Sequence, residues 1–267
     1  MVQTASDFSG SIPEHYDRGM GPVQFLPFGV DLAGRLPREP AGDVLELACG
    51  TGIVTEQLRK RLAPSRRLVA TDLSQAMLDY ARGKRGAPGI EWRTADAQAL
   101  PFADAAFAAV VCAFGVMFVP DKKKLFGEAR RVLAEGGALL FNVWDGLENN
   151  PHGKASGGVI SGLFPGDAEM DFARIPYGFN DPAQIQDLLE GCGFREARFH
   201  RVRLPIESPS AHSLATGAIR GTPRVALLEK RGASPDAVIE RVAEAFRAIG
   251  GDEPFRSHMQ ALVIEAR

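Results

Sequence analysis

The sequence predicts an α/β protein built on one large, doubly wound and mostly parallel sheet. Three observations carry that expectation. Residues 43–145 alternate short apolar runs with stretches of helical spacing. The first apolar run ends at a glycine turn, Gly50-Thr-Gly52. An aspartate, Asp72, closes the second run about 20 residues further on.

The elements follow in order. Asp43 to Cys49 reads as a buried strand, and Ile53, Val54, Gln57, Leu58 and Leu62 then repeat with helical spacing. Leu68 to Asp72 is a second strand, and Ser74 marks a helix start because its hydroxyl can accept a free backbone N–H. Ile90 to Ala95 and Ala106 to Ala113 make the third and fourth strands. A helix from about Asp121 to Leu133 stops at Gly136-Gly137, and Ala138 to Trp144 is the fifth strand. Right-handed crossovers wind such units onto both faces of a sheet.

Beyond Trp144 the pattern changes. Residues 146–180 contain Asn149-Asn150-Pro151, Gly157-Gly158 and Phe164-Pro165-Gly166, too broken for a core element and typical of a lid or binding loop. A helix from Asp181 ends at Gly191, Phe194 to Leu204 forms a sixth strand, and Leu262 to Ile264 lie in a seventh. Residues 207–255 read as helices, with Val238, Val242 and Phe246 on one face. Residues 1–40 read as an N-terminal helical cover, and residues 41–267 as the sheet domain carrying insertions at about 146–180 and 207–255 that form a substrate lid.

Composition excludes several classes. The 31 Lys+Arg and 33 Asp+Glu of the 267 residues leave a formal charge of -2, which argues against a nucleic-acid surface. The three cysteines, Cys49, Cys112 and Cys192, show no pairing or zinc spacing, so neither a disulfide framework nor a metal site is expected. The polar stretch from Met1 to Gly10 lacks the features of a signal peptide, and no apolar run reaches the roughly 20 residues of a membrane span. A cytoplasmic setting is the expectation.

The glycine turn lets the backbone approach a ligand at the carboxyl edge of the sheet, and Asp72 can accept hydrogen bonds from both ribose hydroxyls there. A dinucleotide fingerprint needs a third glycine where Thr55 stands, and no Gly-Lys-Ser/Thr follows to grip a phosphate. The ligand is therefore nucleoside-like, without a demanding phosphate.

Four stretches in register resemble the class I S-adenosylmethionine-dependent methyltransferases, in particular the small-molecule group that includes the quinone-biosynthesis C-methyltransferases. They are Val44-Leu-Glu-Leu-Ala-Cys-Gly-Thr-Gly52, Ala70-Thr-Asp-Leu-Ser74 with Met77, Ala95-Asp-Ala-Gln-Ala-Leu-Pro-Phe102, and Arg130-Arg-Val-Leu133 leading into Gly136-Gly137. The resemblance implies a Rossmann-like sheet of about seven strands whose last strand is antiparallel, with N-terminal helices and a helical and loop lid. It implies S-adenosylmethionine as cofactor and S-adenosylhomocysteine as product.

By the same resemblance, Gly50, Gly52 and Ala48 form the floor under the methionyl part of the cofactor, with Glu46 orienting that loop. Asp72 holds the ribose, Leu73 and Met77 flank the adenine, Asp96 accepts from the adenine amino group, and Ala97 donates its N–H to the ring. Phe114 lines the cofactor and substrate cleft, and Tyr16 covers the cofactor from the N-terminal segment. Ala48 replaces a frequent family glycine, and Cys49 beside the turn reads as inert packing.

Methyl transfer is an in-line displacement in which positioning alone supplies on the order of 7–11 kcal/mol, and a base is needed only where the acceptor must lose a proton. His152 and Tyr177 in the 146–180 insertion rank first as catalytic candidates, ahead of His200 on the sixth strand and of His212 and His258 in the late helical segment. Phe164, Phe172 and Phe179 offer apolar surface for a flat acceptor. The late helices either complete the lid or form a homodimer surface. Other readings of the same motifs are a cofactor-retaining non-methylating enzyme, a cofactor-binding module, and an RNA or protein methyltransferase. The last lacks the Asn/Asp-Pro-Pro-Tyr/Phe motif of base amino methylation, since the fourth strand ends Val-Cys-Ala-Phe-Gly115.

Overall fold

Alternation of side chains along the strands decides how the layers assemble. The structure, a computed structural model, describes residues 8–37, 39–85 and 89–267. Of the expected N-terminal cover, residues 1–7 and Arg38 lie outside the described residues. Among the described residues seven strands form one sheet: β1 (Val44–Leu47), β2 (Leu68–Asp72), β3 (Ile90–Thr94), β4 (Phe107–Ala113), β5 (Leu133–Trp144), β6 (Ala197–Ser208) and β7 (Phe255–Ala266). Their spatial order is β3-β2-β1-β4-β5-β7-β6. The first five are parallel, and β7 runs antiparallel between β5 and β6.

The helices are α1 (Ile12–His15), a π-helical segment (Tyr16–Phe25), α2 (Leu26–Gly34), α3 (Ile53–Arg61), α4 (Gln75–Arg85), α5 (Lys122–Val132), α6 (Pro151–Leu163), α7 (Pro182–Glu190), α8 (Ala211–Arg220), α9 (Arg224–Lys230) and α10 (Pro235–Gly250). Leu45, Leu47, Val110, Cys112, Leu139 and Phe141 point to one face and pack with Leu125, Phe126 and Ala129 of α5 and Ile185 and Leu189 of α7. The alternate residues Val44, Ala109, Val111 and Leu140 pack on the other face with Leu32 of α2 and Val54 and Leu58 of α3. Period-two patterning thus buries both faces, as the parallel sheet requires.

Three expectations are corrected. Residues 146–180 are not wholly irregular, because α6 runs for 13 residues through Gly153, Gly157 and Gly158. Each interior glycine costs a helix about 1 kcal/mol, which tertiary packing offsets most plainly at Gly153, whose missing side chain leaves room for the Tyr177 hydroxyl. The start of α6 is held by Asn150, fully buried, whose Nδ2 donates to the carbonyls of Asp145, Gly146 and Gln260 at 3.0–3.1 Å and whose Oδ1 accepts from the Gln260 N–H. Secondly, β7 is 12 residues long rather than a short terminal piece, and His258 lies on it opposite Pro205, not on a helix. Thirdly, β5 begins at Leu133 and carries Gly136-Gly137 within it, and a register irregularity against β4 between Phe107 and Ala109 absorbs the extra length.

A helical layer crosses the carboxyl end of the sheet. The π-helical segment packs on α8, α8 on α10, and α10 on α6. Gly19 and Gly217 allow the first contact: a Cβ on Gly19 would lie 2.5 Å from the Gly217 Cα. Asp17, 2% exposed, ties this segment to α4 through the Lys84 ammonium and the Tyr80 hydroxyl.

Candidate active site

The parallel strands β1 to β5 deliver their carboxyl ends to one edge, where an open α/β sheet binds its ligand. After β1 the backbone turns through Ala48, Gly50 and Gly52 at φ +52°, +55° and +78°. Glycine adopts that region freely, whereas Ala48 does so at a cost of roughly 1–2 kcal/mol. Asp72 at the end of β2 steadies the turn: Oδ2 accepts the Gly50 N–H at 2.8 Å and Oδ1 accepts the Ser74 N–H at 2.8 Å. Burial raises its pKa, and those N–H bonds oppose the rise.

Glu46 lies beneath the turn, 1% exposed, and neither carboxyl oxygen has a well-aligned hydrogen-bond partner. Burial pushes its pKa up to about 8, partly relieved by the nearby Thr55 hydroxyl, with Asp72 adding to the rise. Cys49 and Cys112 are buried thiols. Burial raises Cys49 well above the usual range and Cys112 to about 12, so both are inert at neutral pH.

Tyr16, Phe25, Glu46, Ala48, Cys49 and Gly50 enclose a narrow cleft of about 30 Å³ with Thr51, Ile53, Val54 and Ala113. The Tyr16 ring stacks on Phe25 at 4.9 Å between centroids. Burial, then the Asp72 and Asp17 carboxylates, push the Tyr16 hydroxyl pKa well up, so it stays protonated. Phe25 in turn meets Phe114 and Trp144, which stack on each other at 3.7 Å. Phe114 is buried rather than open to a cleft, with φ +53°. Its N–H donates to both the carbonyl and the Oδ1 of Asn142, at 3.2 and 2.9 Å, which holds that unusual backbone in place.

Further along the same edge, Leu73 is 59% exposed, although large and apolar. Met77 sits buried in the first turn of α4, its N–H donated to the Ser74 hydroxyl at 3.3 Å, as the sequence suggests for a cap. Asp96 follows β3 and accepts from the Gln98 N–H at 2.8 Å, with Ala97 in the turn.

His152 and Tyr177 do not line the cleft over the glycine turn. Both lie at α6 instead, His152 in its first turn and Tyr177 with its hydroxyl against Gly153. His152 is 3% exposed, its Nδ1 has no partner, and its ring packs against Phe246 of α10 at 6.4 Å. Burial, with the charges of His258 and Arg224, lowers its pKa to about 4. Burial raises Tyr177 to about 12.

The sequence reasoning passed over Asn142, Asp145, Asn150, Arg224 and Gln260. Asn142 could have been found, since it is the one polar side chain in Leu139-Leu-Phe-Asn-Val-Trp144. Gln260 and Arg224 carry no such local signal, because their partners are 110 and 52 residues away.

The residues at this edge fit S-adenosylmethionine. The carboxyl of Glu46 is buried with only the Thr55 hydroxyl to relieve it, which suits a ligand ammonium. Above Gly50 a Cβ would meet nothing within 4 Å, leaving room for a ligand at the turn, and the bare Leu73 side chain offers a flank for a flat ring.

This sheet order, with a glycine turn after β1 and an acidic residue ending β2, defines a nucleoside-binding α/β enzyme. Residues 44–137 match the family described as a methyltransferase domain. The chain is similar to the demethylmenaquinone methyltransferase of Thermus thermophilus, at 41% identity over 196 residues that cover 64% of this chain and 85% of that one. Among solved structures it is similar to Haemonchus contortus phosphoethanolamine N-methyltransferase 2 in complex with S-adenosyl-L-methionine, with TM-score 0.63, 15% identity, and 98% of this chain and 58% of that chain covered. The [4+2]-cyclase SpnF shares the fold with TM-score 0.58 at 16% identity, covering 91% of this chain and 81% of that chain. The chain belongs to the class I S-adenosylmethionine-dependent methyltransferases. It is an enzyme that transfers a methyl group from S-adenosylmethionine to a small-molecule acceptor.

Proposed function

We propose that Ala48, Gly50 and Gly52 carry the methionyl end of the cofactor, with the Glu46 carboxyl near its ammonium, whose positive charge favours the ionised form. Asp72 accepts from the ribose hydroxyls with the lone pairs that Gly50 and Ser74 leave free. Leu73 and Met77 flank the adenine, Asp96 and Ala97 read its polar edge, and Tyr16 closes the site from above. The observation that carries this reading is the Asp72–Gly50 hydrogen bond, which steadies the turn on the same cleft as the buried Glu46 carboxyl.

The cofactor supplies a methyl group already activated by its sulfonium. The chain's own task is to align an acceptor with that methyl and keep water out. About 30 Å³ over the turn holds one or two waters, so the Tyr16–Phe25 segment lifts to admit the cofactor and closes again over it. Residues 1–40 then act as the cover, and the 146–180 and 207–255 regions as the acceptor's lid. The outer face of α10 carries exposed Glu240, Arg241, Glu244 and Arg247, a charged surface that supports a lid rather than a homodimer contact.

The Thermus relative is named for demethylmenaquinone. A flat, aromatic acceptor suits this chain, and the half-buried Phe25 ring at the cleft supports it. His152 and Tyr177 meet that acceptor, with His152 kept neutral at working pH by its burial. The near-balanced charge supports a small cytoplasmic acceptor over nucleic acid.

The test is calorimetric titration with S-adenosylmethionine and S-adenosylhomocysteine, followed by transfer of labelled methyl to a panel of hydroquinones and hydroxyaryl acids. Micromolar cofactor binding and label in one of these acceptors are expected. Absence of cofactor binding by the native chain overturns the reading.

A further inference from the structure

One side-chain amide fastens the turn after β3. The strands β2 and β3 end level, with Asp72 opposite Thr94 and the Ala95 N–H donating to the Asp72 carbonyl at 3.0 Å. Asp96 therefore emerges on the same edge as Asp72 and the exposed Leu73. Its two carboxylate oxygens are unequally occupied. Oδ1 accepts the Gln98 backbone N–H at 2.8 Å and the Gln98 side-chain Nε2 at 3.1 Å. Among the described residues, Oδ2 receives only the longer reach of that same Nε2, at 3.3 Å. A carboxylate oxygen has room for two donors, so Oδ2 keeps a place for a donor from outside the loop.

The other contact of the Gln98 amide settles which end faces Asp96. Oε1 accepts the backbone N–H of Asp121, the residue that caps α5, at 3.1 Å. Turning the amide over would set oxygen against oxygen at Asp96 and donor against donor at Asp121. A backbone donor thus fixes the amide, and the amide fixes the carboxylate. The loop does not depend on Gln98 for its attachment to α5. Leu100 donates its N–H to Glu128 at 2.6 Å, and Arg131 donates to the carbonyls of Leu100 at 3.0 Å and of Phe102 at 2.8 Å. What Gln98 adds is the direction of one side chain.

We infer that Gln98 is a positioning residue that turns Oδ2 of Asp96 toward the amino group of the cofactor's purine and so selects a 6-amino over a 6-oxo purine. The inference rests on the proposed adenine site and deepens it. A 6-amino group donates to a carboxylate, whereas a 6-oxo group sets oxygen against oxygen. A carboxylate free to swing would escape that repulsion and lose the aligned bond, so the preference depends on its being held.

The test is calorimetric titration with S-adenosylhomocysteine and with its S-inosyl counterpart, in which oxygen replaces the amino group. The native chain is expected to prefer the adenosyl compound by about ten-fold or more, as one hydrogen bond to a charged group implies. Gln98→Leu should cut that preference to about three-fold or less, mainly by weakening the adenosyl compound. Gln98→Glu separates the two contacts of the amide and covers the case in which the leucine variant does not fold. Its carboxylate can still accept the Asp121 N–H but presents no donor to Asp96, so the preference should fall as it does in Gln98→Leu. A preference that survives in either folded variant overturns the inference and leaves the cofactor reading standing. Equal weakening of both compounds is such a result, and marks a merely structural role. Equal binding of the two compounds by the native chain overturns the inference together with the placing of adenine at Asp96. Absence of S-adenosylhomocysteine binding by the native chain overturns the cofactor reading itself, and the inference with it.

Discussion

Asp72 and Gly50 are joined by a 2.8 Å hydrogen bond from the glycine N–H to a carboxylate oxygen, so the residue expected to hold the ribose also shapes the loop expected to carry the methionyl group. Removing the side chain therefore removes two functions. Asp72→Asn separates them, because an amide oxygen can still accept the Gly50 N–H while the charge is gone. Cofactor affinity is expected to fall about 10–100-fold, corresponding to about 1.5–3 kcal/mol for a charge-assisted bond. Asp72→Ala should lose binding altogether. Calorimetry on the two variants checks both.

The two buried titratable groups pull stability in opposite directions with pH. The pKa of Glu46 is raised from 4.5 to about 8, so its contribution is complete below pH 4.5 and is lost as pH rises towards 8. The pKa of His152 is lowered from 6.5 to about 4, so its contribution is complete above 6.5 and is lost as pH falls towards 4. Between 4.5 and 6.5 the two slopes oppose each other, and above 6.5 only that of Glu46 remains. Glu46→Gln should abolish the decline between pH 6.5 and 8, and His152→Gln should make the decline begin near 4.5. Urea unfolding at pH 5, 6.5 and 8 reads these differences against the native chain.

Gly115 owes its identity to the cofactor loop. A Cβ there would lie 2.5 Å from the Ala48 Cβ and 2.8 Å from the Cys112 sulfur. Gly115→Ala is expected to cost about 1–3 kcal/mol by overpacking. Ala48→Gly in the same chain removes one of the clashing atoms and should recover much of the loss, a coupling that a double-mutant cycle measures.

Asn150 joins the end of β5 and the middle of β7 to the start of α6, the helix that carries His152. Asn150→Ala leaves buried carbonyls and an N–H without a partner, at an expected cost of about 2–4 kcal/mol. Hydrogen exchange should quicken across Pro151–Leu163 before it does so in β1 or β4.

Much of the cofactor edge is legible without coordinates because it is local. Ala48, Gly50 and Gly52 lie within five residues of one another, the left-handed turns are forced by chain geometry, and Asp72 sits where a second parallel strand must end. The capping role of Ser74 and the inert character of Cys49 likewise follow from neighbours in the chain.

The acceptor side reads differently. Apolar periodicity finds α10, but it cannot find α6, where Gly153 is required by the Tyr177 hydroxyl that meets it across the fold. Nor can it show that Gly19 faces Gly217, that His152 is neutral and enclosed, or that Arg224 stacks on Phe172. The sequence by itself determined the sheet, the cofactor turn and the class of chemistry, because backbone conformation and strand patterning depend on residues close in the chain. Only the tertiary structure decided which charges are buried and which are paired, because desolvation and ion pairing depend on residues brought together from distant segments.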